Sequence, residues 1–420
     1  QKKKMGLTTK IFVALIAGAI LGIILCYLVP DSSFKKDVIV EGILYVIGQG
    51  FIRLMKMLVV PLVFCSLVCG SMSIGDTKKL GTVGVRTLVF YLATTALAVS
   101  VALTVGNLIN PGVGLDMSSI QSSASSVETM EATSLTDTIL NIIPDNPINS
   151  LASGTMLQVI VFALIVGVIL AKMGERAETV ANFFSQFNDI MMEMTMMIMA
   201  LAPIGVFCLL CPVIAANGPA IIGSLAMVLL AAYICYVVHA VVVYSLTVRT
   251  LGGLSPLKFF KGMLPAIMFA FSSASSVGTL PINMECTEKL GTSREIASFI
   301  LPLGATINMD GTAIYQGVCA IFIASCYGIH LTLPQMLTII FTATLASIGT
   351  AGVPGAGMVM LAMVLTSVGL PVDGIALVAG VDRIFDMGRT TVNITGDASC
   401  CVIVSNLEKK REARKMAKSM

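Results

Sequence analysis

Ser347-Ile348-Gly349-Thr350-Ala351-Gly352-Val353-Pro354-Gly355-Ala356-Gly357 cannot continue as a regular helix or strand, because its glycines and Pro354 interrupt both. Apolar arms flank it on each side, so that segment 334–369 goes in and comes back. Segment 255–288 repeats the pattern, with two apolar arms around Ser272-Ser273-Ala274-Ser275-Ser276-Val277-Gly278-Thr279. In a water-soluble protein such tips would be surface turns. The composition excludes that setting: of 420 residues 56% are hydrophobic and 12% charged, where soluble domains carry about 25% charged residues. The solvent of this chain is lipid. Irregular backbone at membrane depth survives only where protein or a water-filled cavity satisfies its N–H and C=O groups, so the two tips mark a buried polar site.

Working outward from the tips, apolar stretches able to cross about 30 Å of hydrocarbon run near 11–29, 43–70, 87–108, 155–171, 190–215 and 221–248. Lys and Arg gather at the N-terminus, at Lys78, Lys79 and Arg86, at Lys172 and Arg176, at Arg249, Lys258 and Lys261, at Lys289 and Arg294, and in the tail after Lys409. Segment 110–154 holds Asp116, Glu128, Glu131, Asp137 and Asp145 with no Lys or Arg. The basic segments are therefore expected in the cytoplasm and 110–154 outside. Alternation then requires two more full crossings, near 296–329 and 373–406. The expected fold is all-α and polytopic: eight transmembrane helices plus two re-entrant hairpins, each followed by one full span, the two pairs running in opposite directions as an inverted repeat. Both termini are expected inside, and the first run, Ile11 to Val29, reads as a span and not as a cleaved signal. The net charge of +3 resides largely in the two ends and offers no nucleic-acid surface. The eleven cysteines show no metal-ligand spacing and read as reduced and buried.

Three constellations carry chemistry. Gly304-Ala305-Thr306-Ile307-Asn308-Met309-Asp310-Gly311-Thr312 places an Asp with Asn and Gly neighbours inside the seventh span, which breaks the helix and offers carbonyl, carboxylate and hydroxyl oxygens of the kind Na⁺ wants. In the last span Asp382, Arg383, Asp386, Arg389, Thr390, Asn393 and Asp397 all fall within roughly 60° of Asp386 at about 100° per residue. Charges on one face are tolerable there only if paired or solvated, and facing the hairpin tips that stripe makes a binding surface. Tyr91, Thr94 and Thr95 form a weaker polar cluster in the third span, and His239 and His330, without sequence partners, read as structural.

Gly278-Thr279-Leu280-Pro281, Leu301–Thr312 (LPLGATINMDGT), Ser347–Gly357 (SIGTAGVPGAG) and Asp386–Asp397 (DMGRTTVNITGD) resemble the glutamate transporter family, the dicarboxylate/amino acid:cation symporters. The resemblance implies a homotrimer in a cell inner (plasma) membrane, working as an elevator. Residues 1–80 and 110–217 would form a fixed scaffold; 81–109 and 218–408 would form the moving transport domain, with 409–420 a cytoplasmic basic tail. Its cargo would be an acidic amino acid, L-glutamate or L-aspartate, with Na⁺ at up to three positions. By resemblance Arg389 pairs the substrate side-chain carboxylate and Asp386 its ammonium. Ser276, Thr312 and Asn393 hold the main-chain carboxylate, with Gly357 and Thr390 nearby. The sodium positions map to Gly304, Asn308, Asn393 and Asp397; to Thr306, Met309, Ser347, Ile348 and Thr350; and to Tyr91, Thr94, Thr95, Asn308 and Asp310. The chemistry of the residues agrees, since a guanidinium fork grips a carboxylate and a carboxylate one turn away suits an ammonium.

The chain departs from the family where archaeal members carry an Arg in the first hairpin, here Ala274, and where animal members carry one in the last span, here Met387. Arg383, one turn before Met387, is expected to supply that charge and tune Asp386. Gln316 replaces a Glu that animal members use for proton coupling, so that route is expected to be absent. An intramembrane hydrolase would need a base beside a nucleophile, which the serine tips lack, and no enzymatic activity is expected. A passive channel is the second rival, set apart by flux that does not depend on a sodium gradient. Within the carrier reading, coupling to protons, or to Na⁺ with a C4-dicarboxylate, neutral amino acid or cystine as cargo, stays open.

Overall fold

A computed structural model of the protein describes residues 7–30, 32–75, 82–112, 140, 143–217, 220–349 and 356–419. Most of 110–154, both Lys78 and Lys79, and Thr350 lie outside the described residues. Among those described, every regular element is helical.

The N-terminal helices are α1 (Leu7–Tyr27), a π-helical segment (Phe34–Leu44) continuous with α2 (Tyr45–Gly75), and α3 (Thr82–Ile109). After the short α4 (Pro147–Ser153) come α5 (Met156–Met173), α6 (Glu178–Ala200) and α7 (Ala202–Asn217). The span expected at 190–215 is thus two helices parted at Leu201, and it begins a dozen residues earlier. Asn182, Ser185, Gln186, Asn188 and Asp189 in the first half of α6 dilute its hydropathy, which is why the apolar window misses them. Next is α8 (Ala220–Val238), continued through a π turn (His239–Tyr244) into α9 (Ser245–Thr250). Among the described residues five helical runs are long and apolar enough to cross a membrane, Thr9–Tyr27, Val83–Ile109, Gln158–Ala200, Ile222–Thr250 and Phe299–Cys326. Exposed Ile16, Ile20, Val85, Val89, Ile165 and Val237 give α1, α3, α5 and α8 the apolar outer faces that lipid requires.

Both tips turn the chain back. In the first hairpin α10 (Pro256–Ser273) ends at Ala274, whose φ of 51° is left-handed for a residue with a Cβ, and Ser275 caps α11 (Ser276–Lys289) by accepting the Gly278 N–H at 3.0 Å. In the second, α14 (Leu333–Ala346) runs into a 3₁₀ turn (Ser347–Gly349), and α15 (Ala356–Ser367) returns. Thr332 and Gln335 form a capping box that starts α14, and the Gln335 amide donates to the Val368 carbonyl at 3.2 Å, tying the two arms at their base.

The stretch around Asp310 breaks where its composition demands. Helix α12 (Arg294–Ile307) stops, Asn308 is extended at φ −88° and ψ 100°, and α13 (Asp310–Cys326) begins. Every residue of α13 except Ser325 is buried. A 3₁₀ turn (Val372–Gly374) and α16 (Ile375–Ala379) lead into α17 (Asp382–Ser419), a single helix that extends well past the expected end at 406. It packs against α3, α8, α10, α11, α12 and α13, so its polar stripe faces the broken helix and the first hairpin. By contrast α1, α2, α5, α6 and α7 pack mainly on one another.

Candidate substrate and cation site

Asp382, Asp386, Arg389, Thr390, Asn393 and Asp397 are all buried, although each is polar or charged. They can be so only because they satisfy one another and the broken helix. The Arg389 Nε donates to Asp386 Oδ1 at 2.9 Å, and its terminal nitrogens reach Asp382 Oδ1 at 2.9 Å and Oδ2 at 3.5 Å. Its guanidinium carbon lies 4.7 Å from the centre of the Tyr315 ring, a cation–π contact. Among the described residues these bonds use three of the five guanidinium N–H groups, which leaves two on the terminal nitrogens for a ligand carboxylate. The main chain closes on Arg389 at two places: a Cβ at Gly357 would meet the guanidinium, and one at Gly311 would meet the Arg389 backbone. Gly357 of the second hairpin therefore covers the arginine at contact distance.

Arg383 also turns inward, its NH1 lying 3.6 Å from Asp386 Oδ2 and its NH2 donating to the Ser273 carbonyl at 3.1 Å. One side chain thus joins the first hairpin's tip, next to Ala274, to Asp386. Ser276 and Thr312 are buried as well, and Asn393 Nδ2 lies 3.4 Å from Thr312 Oγ1. The Asn393 amide oxygen accepts the Gly311 N–H at 2.8 Å, which locks α17 onto the first turn of α13.

Two oxygen-rich clusters flank this centre. In the first, Asn308 Nδ2 donates to the Asn393 carbonyl at 3.1 Å and to Asp397 Oδ1 at 2.9 Å, while its own Oδ1 is buried with no partner. A Cβ at Gly304 would stand 2.5 Å from both Asp397 Oδ1 and the Tyr91 hydroxyl, so glycine is what lets these oxygens converge. An orphaned amide oxygen beside a carboxylate and a hydroxyl fits a small cation. In the second cluster Thr95 Oγ1 donates to Asp310 Oδ1 at 2.6 Å, and the Tyr244 hydroxyl to Asp310 Oδ2 at 2.7 Å. Thr94 is buried and bonds back to the Tyr91 carbonyl at 3.2 Å.

The described members of the third expected group, Thr306, Met309, Ser347 and Ile348, are not gathered by bonds among the described residues. Thr306 is exposed and turns to the Leu303 carbonyl, and Ser347 turns to the Thr344 carbonyl. Met309 lies under Asn393, its Sδ 3.2 Å from Nδ2. The turn bearing Ser347 and Ile348 does pack against α12.

Three residues of the site carry no signal in the sequence, and a fourth carries only part of one. Asp382 stands on the polar stripe, but its grip on Arg389 two turns away has no local signature. Tyr315 reads as an ordinary core residue of α13. His239, which reads as structural in the sequence, places Nε2 3.1 Å from Asp310 Oδ2 beside Tyr244, across a sequence separation that no spacing rule bridges.

Residues 7–407 match the sodium:dicarboxylate symporter family. The chain is 36% identical over 411 residues to a proton/sodium-glutamate symport protein of Bacillus caldotenax, covering 97% of this chain and 95% of that protein. It is 36% identical over 420 residues to the proton/glutamate-aspartate symporter of Escherichia coli (strain K12), covering 98% and 95%. It is 33% identical over 415 residues to C4-dicarboxylate transport protein 1 of Ralstonia nicotianae, again covering 98% and 95%.

Proposed function

The chain belongs to the sodium:dicarboxylate symporter family, and from that membership we propose that it imports L-glutamate or L-aspartate by coupling entry to inward movement of Na⁺. It is a membrane-embedded, cation-coupled symporter and not an enzyme. The observation that carries the choice of cargo is the pairing of Arg389 with Asp386 on one buried face, under Gly357. A guanidinium with two free N–H groups beside a carboxylate complements a ligand bearing an anionic side chain and an ammonium. A C4-dicarboxylate would satisfy Arg389 and leave Asp386 facing a second anion.

In this mechanism the substrate side-chain carboxylate docks on Arg389, its ammonium on Asp386, and its main-chain carboxylate on Asn393, Thr312 and Ser276. Na⁺ is cargo, held by Asn308 and Asp397 with Gly304 and Asn393, and by Asp310 with Tyr91, Thr94 and Thr95. The group of Thr306, Met309, Ser347, Ile348 and Thr350 would form around a third ion as the second hairpin closes. Because Asn308 and Asn393 touch both the ion clusters and the substrate side, ion binding orders the groups that receive substrate. Such shared residues are the physical basis of coupling.

Residues 81–109 and 218–408 make up the moving unit and residues 1–80 and 110–217 the fixed scaffold, working as an elevator in a homotrimer. The separate packing of α1, α2, α5, α6 and α7 supports that division. The alternation of apolar stretches with Lys and Arg supports eight spans with both termini in the cytoplasm, and family membership supports a cell inner membrane. The test is uptake of labelled L-aspartate by purified protein in liposomes. Inward Na⁺ gradients should drive accumulation, L-glutamate should compete and succinate should not. Undiminished uptake with choline in place of Na⁺ on both sides, driven by a proton gradient, would remove the sodium assignment.

A further inference from the structure

Residues 220–250 form an apolar run with little to recommend them as a contributor to any site, yet their winding changes at one place. The π turn His239–Tyr244 separates α8 from α9, and the residues at its two ends meet at a single atom. His239 Nε2 and the Tyr244 hydroxyl both contact Asp310 Oδ2, at 3.1 and 2.7 Å, and both side chains are fully buried. Their rings stand edge to face with centroids 4.9 Å apart. On an α-helix, residues five apart point about 140° away from each other. A turn whose bonds reach the fifth residue brings them onto one face, and such turns persist mainly where a site needs them.

His239 has no other polar partner among the described residues, for its Nδ1 is buried and unbonded. The ring is thus not held by a network of its own, and its polar contact is spent on Asp310. With Thr95 on Oδ1 at 2.6 Å, the carboxylate accepts three bonds from α3 and the π turn. About four lone-pair directions are available to it, so room is left for an ion.

We infer that the π turn exists to place His239 and Tyr244 as positioning residues that orient Asp310 for its cation, and so set the affinity for Na⁺. The inference rests on the proposed role of Asp310 as a sodium ligand and adds two residues to it. Outer partners of this kind typically change ion affinity by about 10- to 100-fold when removed.

The experiment titrates Na⁺ alone, with choline holding ionic strength, against the thermal unfolding midpoint of the purified protein. L-aspartate affinity is then measured at saturating Na⁺. Wild-type protein should be stabilised by Na⁺; if it is not, the cation reading of Asp310 falls and the inference falls with it. Tyr244→Phe and His239→Leu should each raise half-saturating Na⁺ by about 10-fold while L-aspartate affinity at saturating Na⁺ stays within about twofold. His239→Gln, which keeps an N–H within reach, should stay near wild type. With a normal wild-type response, an unshifted Na⁺ midpoint in Tyr244→Phe would overturn the inference and leave the cation site standing. So would equal losses of Na⁺ and L-aspartate affinity in His239→Gln and His239→Leu, since that is what a merely structural residue gives. Tyr244→Phe removes one oxygen only and decides the matter should His239→Leu fail to fold.

Discussion

Replacing Arg389 by Cys separates what the arginine does for substrate from what it does for the fold. The guanidinium bonds Asp386 at 2.9 Å and Asp382 at 2.9 Å, with all three side chains buried. Removing it leaves Asp382 without a cation and Asp386 with Arg383 alone, at a cost of about 3–5 kcal/mol in stability. A substrate side-chain carboxylate entering the same pocket would lose its partner at about 2–5 kcal/mol, or roughly 30- to 5,000-fold in affinity. The two effects separate in a double variant. Asp382→Asn with Arg389→Cys should recover much of the lost thermal stability, because one orphaned charge is gone, without recovering L-aspartate binding. Small neutral amino acids should still compete weakly in the single variant, since Asp386, Asn393 and Thr312 are kept. Calorimetric titration of L-aspartate at saturating Na⁺, alongside thermal unfolding, reads both quantities. Affinity within about threefold of wild type in Arg389→Cys would refute the assignment, since the smallest loss expected is some tenfold larger.

Arg383→Ala removes the link between the Ser273 carbonyl and Asp386; L-aspartate dissociation should change by about 3- to 10-fold with sodium dependence intact, followed by stopped-flow release. Gly304→Ala would place a methyl 2.5 Å from Asp397 Oδ1 and the Tyr91 hydroxyl, so the stabilisation of that variant by Na⁺ against heat should be smaller than that of wild type while the part due to the Asp310 cluster persists. Glu408→Gln loses a partly exposed pair with Arg86 at 2.6 Å and should lower stability by only about 0.5–1 kcal/mol, with uptake unaltered.

The hairpins and the helix break were legible because their signals are local. Glycine, serine and proline cannot hide in an apolar run, and Asn308 to Gly311 stops a helix by composition alone. The stripe of α17 was legible because helical periodicity puts Asp386, Arg389, Asn393 and Asp397 on one face. Pairings over long separations have no such signal in the residues themselves, and only the family resemblance sets Thr95 beside Asp310. Asp310 finds Thr95, Tyr244 and His239 on two other elements, and nothing within either stretch announces the other. His239 and Tyr244 were doubly concealed, because their five-residue spacing means opposite faces unless the helix is locally π. The start of α6 was missed for a simpler reason: an amphipathic helix need not look apolar.

The buried polar stripe also has an electrical side. Asp310, Asp382, Asp386 and Asp397 are set against Arg383 and Arg389, so at formal charge these six side chains leave two negative charges uncompensated. An acidic amino acid brings a third, and three monovalent ions would make the loaded unit electroneutral, so that the proposed loaded step would feel little of the membrane voltage. The empty unit would carry its excess charge alone. Each charge that crosses the full field is worth about 2.3 kcal/mol per 100 mV, and an inside-negative potential pushes negative charge outward. On the proposed mechanism, then, voltage would act chiefly on the return of the unloaded carrier, resetting it towards the side from which it collects.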